Sequence, residues 1–143
     1  MNRDTIRLLE QCDAGTKMAA AAIDDVIGRV REPSLREHLV HSRALHAAYG
    51  EEMSGLLGRI GHVPPQPNAA ARGMAKLKTE VKLALRPADS TIAGLMTDGC
   101  NIGIQSLSRF LNRHPAADSR AREMARRLIG IEDRMAGGLR PYL

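Results

Sequence analysis

A repeating helical face between Ser34 and Gly61 constrains the fold of this chain more than any other feature. Its positions alternate at steps of four and three residues: Leu35, Leu39, Ser42, His46, Tyr49, Met53, Leu56 and Ile60. This spacing is typical of a helix packed lengthwise against other helices. Ser34 followed by Glu37 predicts a capping box at its start, and Gly61 with Pro64 and Pro65 predicts its end. A helix of this length is about 40 Å long, so its partners must also be long.

The middle of this face is polar, because Ser42 and His46 lie there one turn apart. The first 31 residues carry a second helical stripe, which also turns polar near its middle, at Asp13 and Thr16. A buried imidazole needs a hydrogen-bond partner. We therefore predict a polar core layer, in which the candidate partners of His46 are the other members: Ser42, Asp13 and Thr16.

The remaining periodicity predicts an all-α single domain with helices at about 3–31, 34–61, 69–85, 89–112 and 116–139. Residues 31–33 form too short a link for anything but antiparallel neighbours, whereas residues 62–88 can carry the chain along the whole bundle. The short helix in this crossover should be capped by Asn68, and Asp89 or Ser90 should cap the next. The predicted inner face of the short crossover helix consists of Met74, Leu77, Val81 and Leu85.

Composition favours helices over sheets, because aromatic residues make up only 2% of 143 residues. The two cysteines, Cys12 and Cys100, fit no C-x-x-C spacing and are interpreted as small buried side chains in a reducing compartment; a disulfide or a metal role is the alternative. The charged first ten residues do not suggest a signal peptide, and no apolar run suggests a membrane span. We therefore expect a cytoplasmic protein without a membrane partner.

Glycines are frequent inside the predicted helices. Gly99 and Gly103, one turn apart, favour close contact between helices, and the alternative is room for a ligand. Nine glycines lie inside the predicted helices, and each lowers helix stability by up to about 1 kcal/mol relative to Ala. This cost implies that the glycines have a compensating role.

The hairpin spacing, the crossover helix and the Cys-Asp-Ala-Gly turn at residues 12–15 resemble a family of small bacterial ferritin-like domains of unknown function. The resemblance implies an up-down-down-up four-helix bundle. It also implies a central di-metal site, for which such bundles use one Glu from each of two helices and a Glu-x-x-His from each of the others.

The metal motifs of this resemblance are incomplete. The second helix keeps His46 but has Arg43 where the carboxylate would be, and the fourth keeps Glu132 but has Met135 where the imidazole would be. On the first and third helices the bridging Glu has no clear counterpart. The nearest polar residues are Asp13 with Thr16 on the first helix, and Asp98 with Asn101 and Gln105 on the third. We therefore expect a degenerate metal site with no cofactor. The alternative is a divergent iron, manganese or redox site built from His46, Asp13, Asp98 and Glu132.

Two other functions compete with the interpretation that these charged residues form a solvated surface. His38, His41 and His46 suggest phosphotransfer, which requires an exposed imidazole near a cation, as His41 near Arg43 would provide. The net charge of +5 and the arginines of the fourth helix could bind nucleic acid or an acidic partner, although Glu123 and other acids are interleaved. We predict a non-enzymatic helical module that could self-associate as a homo-oligomer. The arginines concerned are Arg120, Arg122, Arg126, Arg127 and Arg134.

Overall fold

The computed structural model describes residues 1–64, 66 and 68–143, which form five α-helices and, within those ranges, no strand. The all-α prediction is confirmed. Two short 3-10 turns, Ile27–Arg29 and Arg140–Tyr142, continue the first and last helices. The five helices are α1 (Arg3–Val26), α2 (Pro33–Arg59), α3 (Ala69–Leu85), α4 (Asp89–Arg113) and α5 (Ser119–Leu139).

The long helices pack as two hairpins, α1 with α2 and α4 with α5, and α1 also contacts both α4 and α5. The amide side chain of Asn2 donates to the carbonyl of Ala116 at 2.8 Å, and the hydroxyl of Thr5 accepts from the backbone N–H of Asp118 at 2.8 Å. These contacts place the starts of α1 and α5 at the same end of the bundle.

At the other end of the bundle, Asp89 links the start of α4 to the residues just before α2. Its carboxylate accepts from the backbone N–H groups of Arg31 at 2.9 Å and Glu32 at 2.8 Å, so α2 and α4 start together. The prediction that Asp89 or Ser90 caps α4 is wrong, because the N-cap is Ala88. Asp89 instead serves the start of α2.

The capping box predicted at Ser34 and Glu37 is also wrong. Pro33 occupies the first turn of α2, and the N-cap is Glu32, whose side chain makes no capping hydrogen bond to any described residue. Proline suits this first turn because its missing N–H would have had no partner within the helix. The hydroxyl of Ser34 accepts instead from Tyr142 at 2.6 Å.

Gly61 stops α2 as predicted, although the helix itself ends two residues earlier, at Arg59. Gly61 adopts a left-handed φ of 70°. Its N–H donates to the carbonyl of Gly58 and that of His62 donates to Leu57, both at 3.0 Å. These are the two hydrogen bonds of a Schellman motif, which favours glycine at this position. Pro64 follows, whereas Pro65 and Pro67, part of the predicted extended stretch, lie outside the described residues.

The core consists of two apolar clusters separated along the bundle. One contains Leu8, Tyr49 and Leu128, and the other contains Ile23, Leu39 and Ile92. Buried polar side chains lie between them along the chain: Asp13, Thr16, Ser42, His46 and Glu132. The predicted polar residues are thus buried at the middle of the helices.

The inner face predicted for α3 is wrong. Met74, Leu77, Val81 and Leu85 are exposed by 49% to 82%, whereas Thr79 and Leu83 are buried. The helix packs through this second, narrower face against α1 and α4. Within the described part of the chain, no helix is long and apolar enough to cross a membrane.

Candidate functional site

A pocket of about 370 Å³ lies between α1, α3 and α4, and we call it the α3 pocket. Leu128 and Glu132 of α5 also line it. Its other walls are mostly small or apolar side chains, including Ala14, Ala19, Ala22, Leu95 and Gly99. The pocket therefore offers apolar surface with a carboxyl group in its lining.

Glycines in α4 leave space in this pocket. A Cβ added at Gly99 would meet no described heavy atom within 4 Å, and one at Gly103 would lie 3.7 Å from Cδ of Glu132. Both glycines line the pocket. The prediction that they mediate close helix contact is therefore wrong for Gly99, which is exposed and has open space at its Cβ position.

Glu132 is 5% exposed and lies between α2 and α4. Its Oε1 is 3.1 Å from Nε2 of His46, and the Cys100 thiol lies beside the carboxyl group. Burial raises the pKa of Glu132 to about 7, against the opposing effect of the Cys100 hydrogen bond. The carboxyl group is therefore a weak acid that titrates near neutrality.

The hydrogen bonds of Thr16 identify where the proton of His46 lies. The Thr16 hydroxyl donates to the carbonyl of His46 at 2.9 Å, because a carbonyl can only accept. The same oxygen lies 3.1 Å from Nδ1 of His46, so Nδ1 must be the donor there. In a neutral ring, Nε2 then carries a lone pair towards Glu132.

Burial lowers the pKa of His46 to about 4, so the imidazole is neutral at physiological pH. A lone pair on Nε2 is compatible with Glu132 only when that carboxyl group carries a proton. The 3.1 Å contact is not aligned as a hydrogen bond, and Nε2 has no other partner among the described residues. The carboxyl group of Glu132 therefore lies beside His46 without forming an aligned hydrogen bond to it.

A separate ion pair joins the partly exposed Lys17 side chain to the buried Asp13. Oδ2 of Asp13 lies 2.6 Å from Nζ of Lys17, one turn further along α1, and the Asp13 side chain is 1% exposed. The spacing of four residues is the one at which opposite charges meet on a helix. Asp13 therefore has its countercharge within its own helix.

The structure brings together only part of the predicted site. His46 contacts Thr16 and Glu132, and Ser42 is buried one turn before His46. Asp98 is exposed and lines the α3 pocket. Across residues 1–64, 66 and 68–143, no three His, Cys, Asp or Glu side chains converge where a metal ion could be held. The donors present do not fit the di-metal site that the resemblance implies.

No family model matches this chain, and no curated protein matches it in sequence. Among solved structures, it is similar to the crystal structure of a DUF305 fragment from Deinococcus radiodurans, with a TM-score of 0.77 and 14% identity. The match covers 98% of this chain and 95% of the other. What the two share is the fold. DUF305 is a domain of unknown function, so the similarity supports an all-helical architecture and no particular activity.

Two site residues were not anticipated from the sequence. Cys100 contacts Glu132 across two helices, and no spacing in the chain indicates that contact. Lys17 pairs with Asp13, and the interval of four residues was a usable signal. Both cysteines are buried free thiols, as interpreted, and burial raises the pKa of Cys12 to about 11.

The arginines of α5 partly serve packing. Arg127 binds Glu52 at 3.0 Å and lies over the ring of Tyr49, and Arg122 donates to carbonyls at the end of α4. His38 Nε2 donates to the carbonyl of Met135 at 3.0 Å, whereas His41 is exposed. Side chains already engaged in the fold are less available to phosphate groups.

Proposed function

We propose that this protein is a non-enzymatic helical bundle that binds one small, largely apolar molecule in the α3 pocket. The observation that carries the proposal is a pocket of about 370 Å³ whose apolar walls include one buried carboxyl group, that of Glu132. Small-molecule sites are usually concave, mostly apolar and equipped with few polar groups, at about 300–1,000 Å³. The α3 pocket has this character.

The ferritin-like topology belongs to the same proposal. It is supported by the shared starting end of α1 and α5, the shared starting end of α2 and α4, and the crossover through α3. These directions correspond to an up-down-down-up bundle. The fold similarity to the DUF305 fragment is compatible with it but does not identify the superfamily.

We further propose that the ferritin-like metal centre is degenerate in this chain. His46 and Glu132 are in contact, but Asp13 is neutralised by Lys17 and Asp98 is exposed. Iron and manganese sites of this class need several carboxylates around the ions. Protein purified without chelator should contain less than about a tenth of an equivalent of iron or manganese by elemental analysis. Stoichiometric metal bound by these residues would contradict the proposal.

Ligand binding can be tested with toluene as an apolar probe, followed by NMR chemical shifts. Gly99→Leu adds a side chain at a position that lines the α3 pocket, and no described atom lies within 4 Å of its Cβ position. It should weaken toluene binding by about tenfold or more, equivalent to about 1.4 kcal/mol.

The matched control is Gly94→Leu, in the same helix and also without a described neighbour within 4 Å, at a position outside the pocket lining. It should leave the dissociation constant within about twofold of wild type. Binding that does not saturate, or that both variants weaken equally, would show that the pocket is not the site.

A further inference from the structure

We propose that the ligand of the α3 pocket is an organic cation, a primary ammonium group on a small apolar body, and that the carboxylate of Glu132 binds the ammonium. The inference rests on the proposed function, since it names the chemical class of ligand for the same pocket. It follows from the charges that line the pocket, from the hydrogen-bond roles around Glu132 and from the space beside its carboxyl group.

The ionisable side chains that line the pocket favour a cation at its inner end. Lys78 and Asp98 are exposed, whereas Glu132 and Cys100 are buried. Burial also raises the pKa of the Cys100 thiol, so it remains neutral. The inner end can therefore carry negative charge only, and an anionic ligand would meet Glu132 without a cation to offset it.

The hydrogen-bond roles around Glu132 favour a donor-rich ligand. Nε2 of His46 faces Glu132 as an acceptor, because Nδ1 is used as the donor to Thr16. An ionised Glu132 carboxylate and the unprotonated Nε2 would both be hydrogen-bond acceptors, so neither could donate to the other. An ammonium group provides three N–H donors and a positive charge, so it can bind the carboxylate while the displaced carboxyl proton leaves to solvent.

The space needed by an ammonium group lies at Gly103. Oε2 of Glu132 is 3.8 Å from the position that a Cβ would occupy at Gly103, and both residues line the pocket. A methyl group there would be in ordinary van der Waals contact with the carboxyl group. Gly103→Ala should therefore be tolerated by the fold while covering the side of Glu132 that a ligand approaches.

The experiment compares 2-phenylethylamine with 2-phenylethanol, which share an apolar body and differ in charge. By isothermal titration calorimetry at neutral pH, wild type should bind the amine about tenfold or more tightly than the alcohol, because a charged hydrogen-bonded pair exceeds a neutral one. Glu132→Gln should remove that preference and leave alcohol binding within about twofold.

Gly103→Ala provides a second test that keeps the carboxyl group. It should reduce amine affinity by about fivefold or more, with a smaller effect on the alcohol. This variant also decides the matter if Glu132→Gln does not fold. Equal binding of amine and alcohol to wild type, or a preference that survives both substitutions, would overturn the inference while leaving the proposed function intact. If toluene, alcohol and amine all fail to bind, the proposed function itself is wrong.

Discussion

Glu132 and His46 form a buried pair of titratable groups whose preferred protonation states are both neutral. Burial raises the pKa of Glu132 to about 7 and lowers that of His46 to about 4. A protonated carboxyl beside an unprotonated Nε2 avoids placing charges in the core. This arrangement supports a stable polar layer without a metal ion, and it makes folding stability depend on pH in a way that can be measured.

The two groups should affect stability in opposite directions between about pH 4.5 and 6.5. The unfolded chain binds the His46 proton more strongly, so this residue makes stability rise with pH from about 4 to 6.5. The folded chain binds the Glu132 proton more strongly, so this residue makes stability fall from about pH 4.5 to 7. The buried Cys100 thiol stays protonated throughout this range. In wild type the contributions of this pair should largely cancel.

Glu132→Gln should expose the contribution of His46. We expect its free energy of unfolding to rise by up to about 3 kcal/mol from pH 4 to 6.5, because about 1.4 kcal/mol corresponds to each unit of pKa shift. Urea unfolding at a series of pH values measures this, with His46→Gln as the reciprocal variant, whose stability should fall between pH 4.5 and 7. Difference profiles against wild type that stay flat in both variants would show that the pair does not titrate as described.

Lys17 should matter because Asp13 is buried. Lys17→Met removes the countercharge at 2.6 Å and should lower the free energy of unfolding by about 1–3 kcal/mol, since it leaves an uncompensated buried carboxyl group. Adding Asp13→Asn should restore part of the loss. Chemical denaturation of Lys17→Met, Asp13→Asn and the double variant measures the coupling. A double variant as unstable as the sum of its single changes would contradict the pairing.

At the scale of helices, the end of α5 depends on close contact with α2. Gly137 and Gly138 lie side by side in the last turn of α5, which ends at Leu139 as predicted. A Cβ on Gly138 would overlap the ring of His38, whereas one on Gly137 would meet no described atom within 4 Å. One glycine is therefore required by a neighbouring helix and the other is not.

These adjacent glycines make a matched pair of substitutions. Gly137→Ala should raise the free energy of unfolding by up to about 1 kcal/mol, because alanine favours the helix. Gly138→Ala should lose that gain, because displacing His38 breaks its hydrogen bond to the carbonyl of Met135, which contributes about 1 kcal/mol. Thermal unfolding compares them, and equal shifts in Tm would mean that His38 moves aside freely.

On the scale of the whole molecule, α3 stands apart from the four long helices. Only Thr79 and Leu83 of α3 are buried, and Glu80 pairs with Arg29 near the surface at 2.6 Å. Segments with few buried apolar contacts open locally before the whole protein unfolds. Since α3 also lines the pocket, its opening would expose the ligand site.

Self-association of the protein stays a prediction that analytical ultracentrifugation can test.

Hydrogen exchange should detect the separate opening of α3. Leu83→Ala should accelerate amide exchange within α3 by about tenfold or more, because a buried leucine is lost, and leave the centres of α1 and α4 unchanged. Leu77→Ala is the matched control, since Leu77 is 56% exposed on the same helix. If α3 exchanges together with the long helices, it belongs to the same cooperative unit.

The sequence by itself determined the helical class, the stop at Gly61 and the polar middle of the core. These follow from interactions within a few residues, such as the intervals of three and four along α2 and the left-handed φ of glycine. Cys100 beside Glu132, the use of Asp89 at α2, the exposed stripe of α3 and the pocket at Gly99 were decided by tertiary structure. Each depends on how a helix is rotated against its neighbours, and one residue of register turns a helix face by about 100°. The local pattern does not contain that rotation, because it is set by packing between residues far apart in the chain.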